Sequence, residues 1–127
     1  MSDEFVEKIM TDPVNTGVRV AKTRIGKDLL DEIVRRIVEV ARPDRIILFG
    51  SAARGQMGKD SDLDLLVIKS GVPHRRKLAQ QIRLRMFGVG VPMDIVVVSP
   101  EDIEAFKGKV GTIIGSVVQE GEVIYAS

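Results

Sequence analysis

The 127-residue chain has no cysteine and a single histidine, His74. Without Cys it can build no disulfide framework, no Cys/His zinc site and no thiol nucleophile, and one His cannot supply a two-His metal triad. A Ser-His-Asp hydrolase would depend on His74 alone, which lies in a run of Arg and Lys with no carboxylate near it in sequence. No apolar run approaches the roughly 18 residues of a membrane span, and the opening MSDEFVEKIM is acidic where a signal peptide is basic and then apolar. The expectation is a soluble, cytoplasmic protein with no membrane partner. Metal chemistry, if present, must use oxygen ligands, which favour hard ions such as Mg²⁺ or Mn²⁺.

What is present describes one ordinary globular domain, since a chain of this length buries roughly two-thirds of its unfolded surface in a single core. A net charge of +1 does not imply a general polyanion-binding character. The charge is unevenly spread, however. Between Asp64 and Asp94 there is no acid, while Lys69, Arg75, Arg76, Lys77, Arg83 and Arg85 give that stretch +6 and leave the rest at −5.

Hydrophobic spacing sets out the elements. Leu29, Leu30, Ile33, Val34, Ile37, Val38 and Ala41 recur at helical intervals over 26–42, with Asp31/Arg35 and Glu32/Arg36 as i,i+4 pairs on the other face, and Pro43 ends the helix. RIILF (45–49), DLDLLVIK (62–69), MDIVVVS (93–99) and EVIYA (122–126) read as strands. Residues 74–87 form a basic helix with Leu78, Ile82 and Met86 inward, ended by Gly88, Gly90 and Pro92. Ser99-Pro100-Glu101-Asp102 starts another helix, and a last one is expected over 109–119. Residues 1–25 show no sustained period and are treated as an N-terminal extension to a domain over 26–127. Strands alternating with helices define an α/β layer with helices packed on a sheet.

The chemistry concentrates in RIILFGSAARGQMGKDSDLDLLVIKS, residues 45–70. A strand runs into Gly50-Ser51, where Gly allows a tight turn and a small Ser lets the following backbone amides face outward, a seat for phosphate. Asp62 and Asp64 then head the next strand and, by strand alternation, project from one face. Two such carboxylates repel each other unless a divalent cation sits between them. Asp94 opens the strand after the basic helix; if that strand neighbours the second, Asp94 adds a third carboxylate, able to hold metal or take a proton from an attacking hydroxyl. Arg54 and Lys59, in the phosphate-side loop, are candidates to neutralise a triphosphate. Rival motifs fail on single residues. A Walker A loop needs Lys-Ser/Thr where Gln56-Met57 stand, and an EF-hand needs Gly and Glu where Leu65 and Gly71 stand.

Gly50-Ser51, ten residues, then Asp62-x-Asp64 and a later strand Asp resemble the signature of the nucleotidyltransferase superfamily that includes DNA polymerase beta. The form GSAARGQMGKDSDLDLLV and the chain length resemble the minimal nucleotidyltransferase (MNT) family, commonly paired with HEPN-domain toxins; the similarity covers roughly residues 27–126. This resemblance implies an α/β (α+β) nucleotidyltransferase fold, a mixed sheet of about four strands with helices packed on it. It implies that Gly50 and Ser51 hold nucleotide phosphates, that Asp62 and Asp64 bind Mg²⁺, and that Asp94 acts as ligand or base, with two Mg²⁺ and ATP as substrate. The implied reaction is Mg²⁺-dependent transfer of an NMP, foremost AMP from ATP, to a hydroxyl of a partner. That partner would be a HEPN-domain toxin and this chain its antitoxin. Two alternatives stand beside it: transfer to a small hydroxylated molecule such as an aminoglycoside, and a catalytically inactive nucleotide-binding antitoxin that blocks its partner by contact. Three mutually repelling acids speak against the last. Nucleic acid is not the expected partner, and homo-oligomerisation stays open. The exposed stripe Arg76, Gln80 and Arg83 on the basic helix is either a solvated face or a docking surface.

Overall fold

The computed structural model describes residues 26–50, 62–106, 109 and 121–127. The extension expected over 1–25, residues 51–61 with the expected phosphate-side loop and, but for Lys109, the helix expected over 109–119 lie outside the described residues.

Helix α1, Lys27–Ala41, forms where the apolar spacing requires it and buries Leu30, Ile33, Val34, Ile37 and Ala41. It stops because Arg42 enters the left-handed region at φ 45°, donating its N–H to Val38 O at 3.0 Å, and Pro43 cannot continue a helix. Lys69 Nζ caps the same end by donating to Arg42 O at 3.0 Å. Of the two charge pairs read on the outer face, Glu32–Arg36 forms, Nε to Oε2 at 2.6 Å. Asp31–Arg35 does not. Arg35 reaches Glu32 at 2.5 Å and Glu39 at 2.8 Å, two carboxylates on its own stripe in place of one. Hydrogen bonds from Arg35 and then Arg36 hold the Glu32 carboxyl below the usual carboxylate range.

Among the described residues four strands make one sheet in the order β3-β2-β1-β4: β1 Arg45–Phe49, β2 Leu63–Ile68, β3 Met93–Val98 and β4 Glu122–Ala126. β1 is antiparallel to both β2 and β4, whereas β2 and β3 run parallel. The parallel step needs a crossover, supplied by the basic helix α2, Arg75–Arg85. The mixed α/β sheet of four strands implied above is therefore the observed one. β1, β2 and β3 are covered on both faces, which is why RIILF, LLVI and IVVV read as near-continuous apolar runs. One face packs Ile46, Leu48, Leu63, Leu65, Val67, Ile95 and Val97 on α1 and α2. The other packs Ile47, Phe49, Leu66, Ile68 and Val98 on Ile103 of α3, Pro100–Phe106. α2 is shorter than the span 74–87 read from sequence; Ala79 joins Ile82 inside it, and Met86 is buried just past its end.

The end of the sheet where β1 starts is tied across three segments. Asp44 N–H donates to Ile68 O at 2.7 Å, Asp44 Oδ2 accepts from Ser70 N–H at 3.0 Å, and Asp44 O accepts from Ser127 N–H at 3.1 Å.

The start of α3 is a reciprocal cap. Ser99 Oγ accepts from Asp102 N–H at 3.2 Å and Asp102 Oδ2 accepts from Ser99 N–H at 2.9 Å, with Arg75 ion-paired to Asp102. Ser99→Ala removes one of these bonds and is expected to cost about 1 kcal/mol. In a thermal melt Ser99→Ala should fall a few degrees below wild type, and Ser99→Thr should recover most of the difference.

Candidate active site

β1 ends at Gly50, which takes φ +75°, a conformation that a residue with a Cβ adopts only under strain. The turn also needs Gly for space. A Cβ at Gly50 would overlap Asp64 Oδ2 and stand 3.2 Å from its Cγ. The backbone at the end of β1 thus lies directly against the Asp64 carboxylate, and the Gly50 of the phosphate-seat reading and the Asp64 of the carboxylate reading form one local unit. Ser51, Arg54 and Lys59 lie outside the described residues.

Asp62 precedes β2 and is exposed; Asp64, the second residue of β2, is half-buried opposite Phe49 of β1. Asp94 is the second residue of β3 and is exposed. The strand adjacency on which its assignment depended is present: β3 neighbours β2, and Asp64 and Asp94 are register partners. Leu63 N–H donates to Pro92 O at 3.0 Å, fixing this register at the strand heads. Leu66 and Val96, two residues on from each Asp, pack on the α3 side of the sheet, so alternation puts Asp64 and Asp94 on that same face. Adjacent strands lie about 4.8 Å apart. The sheet therefore sets two acidic positions side by side, with Asp62 leading in from the turn.

Among the described residues no group of three or more His, Cys, Asp or Glu side chains is gathered closely enough to hold a metal ion. Bringing three like charges to a point works against their repulsion, which only a cation offsets. The donor set nonetheless suits a hard divalent ion: every candidate ligand is a carboxylate oxygen, and Gly50 sets no side chain of its own against Asp64 Oδ2. Asp62, Asp64 and Asp94 are the residues that could hold it.

The basic helix is less free than its sequence suggests. Arg75 pairs with Asp102 and Arg85 with Glu39, and Arg83 Nη2 donates to Ile95 O on β3 at 3.1 Å. Arg36 Nη1 from α1 donates to Arg85 O at 2.8 Å and Phe87 O at 3.1 Å, a tie between helices that no local sequence signal announces. None of the described helices is long and apolar enough to cross a membrane.

A four-stranded mixed sheet that ends one strand in a Gly turn and begins the next two with level aspartates defines a nucleotide-transfer scaffold. The comparisons agree: residues 28–122 match the nucleotidyltransferase domain family, and the chain belongs to that family. It is 31% identical over 102 residues to the Methanocaldococcus jannaschii protein named "Putative protein adenylyltransferase MJ1305", a match covering 76% of this chain and 60% of that relative. The chain thus spans less than two-thirds of the relative's length. Among solved structures it resembles a toxin-antitoxin with AMP-PNP, at 20% identity and TM-score 0.55, covering 77% of this chain and 73% of that one. It also resembles a mutant of the toxin-antitoxin MntA-HpeT, at 17% identity and TM-score 0.53 with the same coverage. At these identities the two structures show the shared fold.

Proposed function

We propose that this chain is a Mg²⁺-dependent nucleotidyltransferase that moves AMP from ATP to a hydroxyl of another protein, and that the acceptor is a HEPN-domain toxin for which this chain is the antitoxin. The observation that carries the reading is the register of Asp64 beside Asp94 on parallel strands, with Gly50 packed on Asp64. The relative named as a protein adenylyltransferase supports a protein acceptor, and the toxin-antitoxin neighbour with AMP-PNP supports an adenine nucleotide.

In this reaction the acceptor hydroxyl oxygen bonds to the α-phosphorus of ATP, the bond from that phosphorus to the bridging oxygen breaks, and pyrophosphate leaves. Gly50 and Ser51 bind phosphate through backbone amides at the turn, while Arg54 and Lys59 neutralise the triphosphate. Asp62 and Asp64 would hold the nucleotide's metal, and Asp94, level with Asp64, would be a further ligand and take the hydroxyl proton. When bound, Mg²⁺ supplies Lewis-acid polarisation of the phosphoryl oxygens and charge neutralisation at the leaving oxygen.

The experiment is transfer from α-labelled ATP with Mg²⁺. A purified HEPN-domain protein and an aminoglycoside are offered as acceptors. Label on the protein, with the mass increase of one AMP, is expected. Label on the aminoglycoside alone would replace the protein acceptor by a small molecule. Inhibition of the toxin with no label on either would leave a contact-only antitoxin.

A further inference from the structure

Among the described strands β3 has a neighbour on one side only. On that inner side Pro92 O and Val98 O accept from Leu63 and Lys69 N–H. Strand alternation therefore turns the backbone groups of Ile95 and Val97 to the outer edge, and Arg83 meets the Ile95 carbonyl there. Beside this edge runs α2. The two enclose a groove of about 800 Å³, walled by Arg76, Gln80 and Arg83 and floored by Ile95, Val96 and Val97.

Two further features of α2 and its C-terminal end bear on what could lie there. At the end of α2 that leads into β3, Leu84 in the last turn is 71% exposed and Phe87, just past it, 91%, although Arg36 pins the Phe87 carbonyl. A ring on an anchored main chain is held out to solvent, a poor place for an apolar side chain unless something covers it. Charge supplies the second. Arg76 and Lys77 have no acidic partner among the described residues, unlike Arg75 and Arg85. Self-pairing along this edge would set Arg76 and Arg83 against their own equivalents, so a second copy is opposed while an acidic chain is complementary.

We propose that the outer edge of β3, walled by α2, docks an extended acidic segment of the acceptor protein as an added strand. Its acidic side chains face Arg76 and Arg83, and one apolar side chain covers Leu84 and Phe87. The inference rests on the protein-acceptor reading above. Backbone pairing with Ile95 and Val97 supplies the ladder, and Arg83 passes from the Ile95 carbonyl to a carboxylate of the added strand. At about 3.3 Å per residue, a strand paired at Val97 runs to the level of Asp94 within about 10 Å. Docking on this edge thus selects which hydroxyl of the acceptor reaches the candidate active site.

The test uses the full chain and a fluorescent peptide of alternating Glu and Val ending in Leu. Expected are binding that weakens with salt, loss of about tenfold affinity in Arg76→Glu and again in Phe87→Ser, and slowed amide exchange at Ile95 and Val97 in the complex. A peptide with Pro at its centre should bind far more weakly. Stabilisation by Mg²⁺-ATP should stay at the wild-type value in both variants, so a failure of docking is separable from a failure of nucleotide chemistry. Unchanged affinity in both variants, equal binding of the Pro peptide, or no protection at Ile95 and Val97 would overturn the proposal. So would single-stranded RNA binding as tightly at the same residues, or a dimer that Phe87→Ser dissolves.

Discussion

Asp64→Asn is expected to lower AMP transfer by about a thousandfold while the chain keeps its fold. A divalent cation contributes several kcal/mol of charge stabilisation to a phosphoryl transition state, and about 4 kcal/mol corresponds to about 10³ in rate at ~1.4 kcal/mol per tenfold. Asp64 is the carboxylate most constrained by the fold, half-buried in β2, level with Asp94 and packed on Gly50. Asn keeps its shape and removes its charge. With one of three like charges gone, the variant without ligand should be as stable as wild type or slightly more so. Thermal melts with and without Mg²⁺-ATP check this: wild type gains stability by ligand linkage, and Asp64→Asn loses most of that gain. Equal ligand-induced shifts in the two proteins would remove Asp64 from the metal set.

Gly50→Ala should be the second most damaging change, although it adds a single methyl group. At φ +75° a Cβ costs about 1–2 kcal/mol of stability, and here it also overlaps Asp64 Oδ2. The turn must shift or the carboxylate must swing away. A displacement of about 1 Å at a reacting group costs roughly a hundredfold in rate, which is the expected loss. Because both changes act on one carboxylate, the double variant Gly50→Ala with Asp64→Asn should fall well short of the product of the single losses. Fully multiplicative losses in transfer assays would show that Gly50 acts apart from Asp64.

The helices and strands were legible because their residues are repetitive in physical type: the 3.6-residue spacing of α1, and β-branched runs in β1, β2 and β3. Gly50 and Asp64 were legible as residues needed at a turn and a strand head, but not as touching. Asp94 depended on which strands pair, and pairing is written in tertiary packing: a parallel neighbour and an antiparallel one present the same apolar run. The ion pairs show the same gap at smaller scale. Arg35 could reach acids three or four residues away on either side, and the chain used Glu32 and Glu39 rather than Asp31. Arg83, read as part of an exposed stripe, bends over the sheet edge to Ile95, because a bare carbonyl lay within its reach.

The position of β1 between β2 and β4 bears on the order in which the chain folds. β2 and β3 follow β1 closely in sequence, with one helical crossover between them, whereas Arg45 finds its other partner only at Ala126. Closing that longer loop carries the larger entropic cost and is expected to come late. The unit formed first then already holds Gly50, Asp64 and Asp94 in register, and the exposed flank of β1 waits for β4. During synthesis that flank is an unpaired strand edge, the kind of surface through which nascent chains associate; Asp44 can bond to Ile68 and Ser70 within the first unit, and the bond from Ser127 N–H to Asp44 O completes the closure once β4 has arrived.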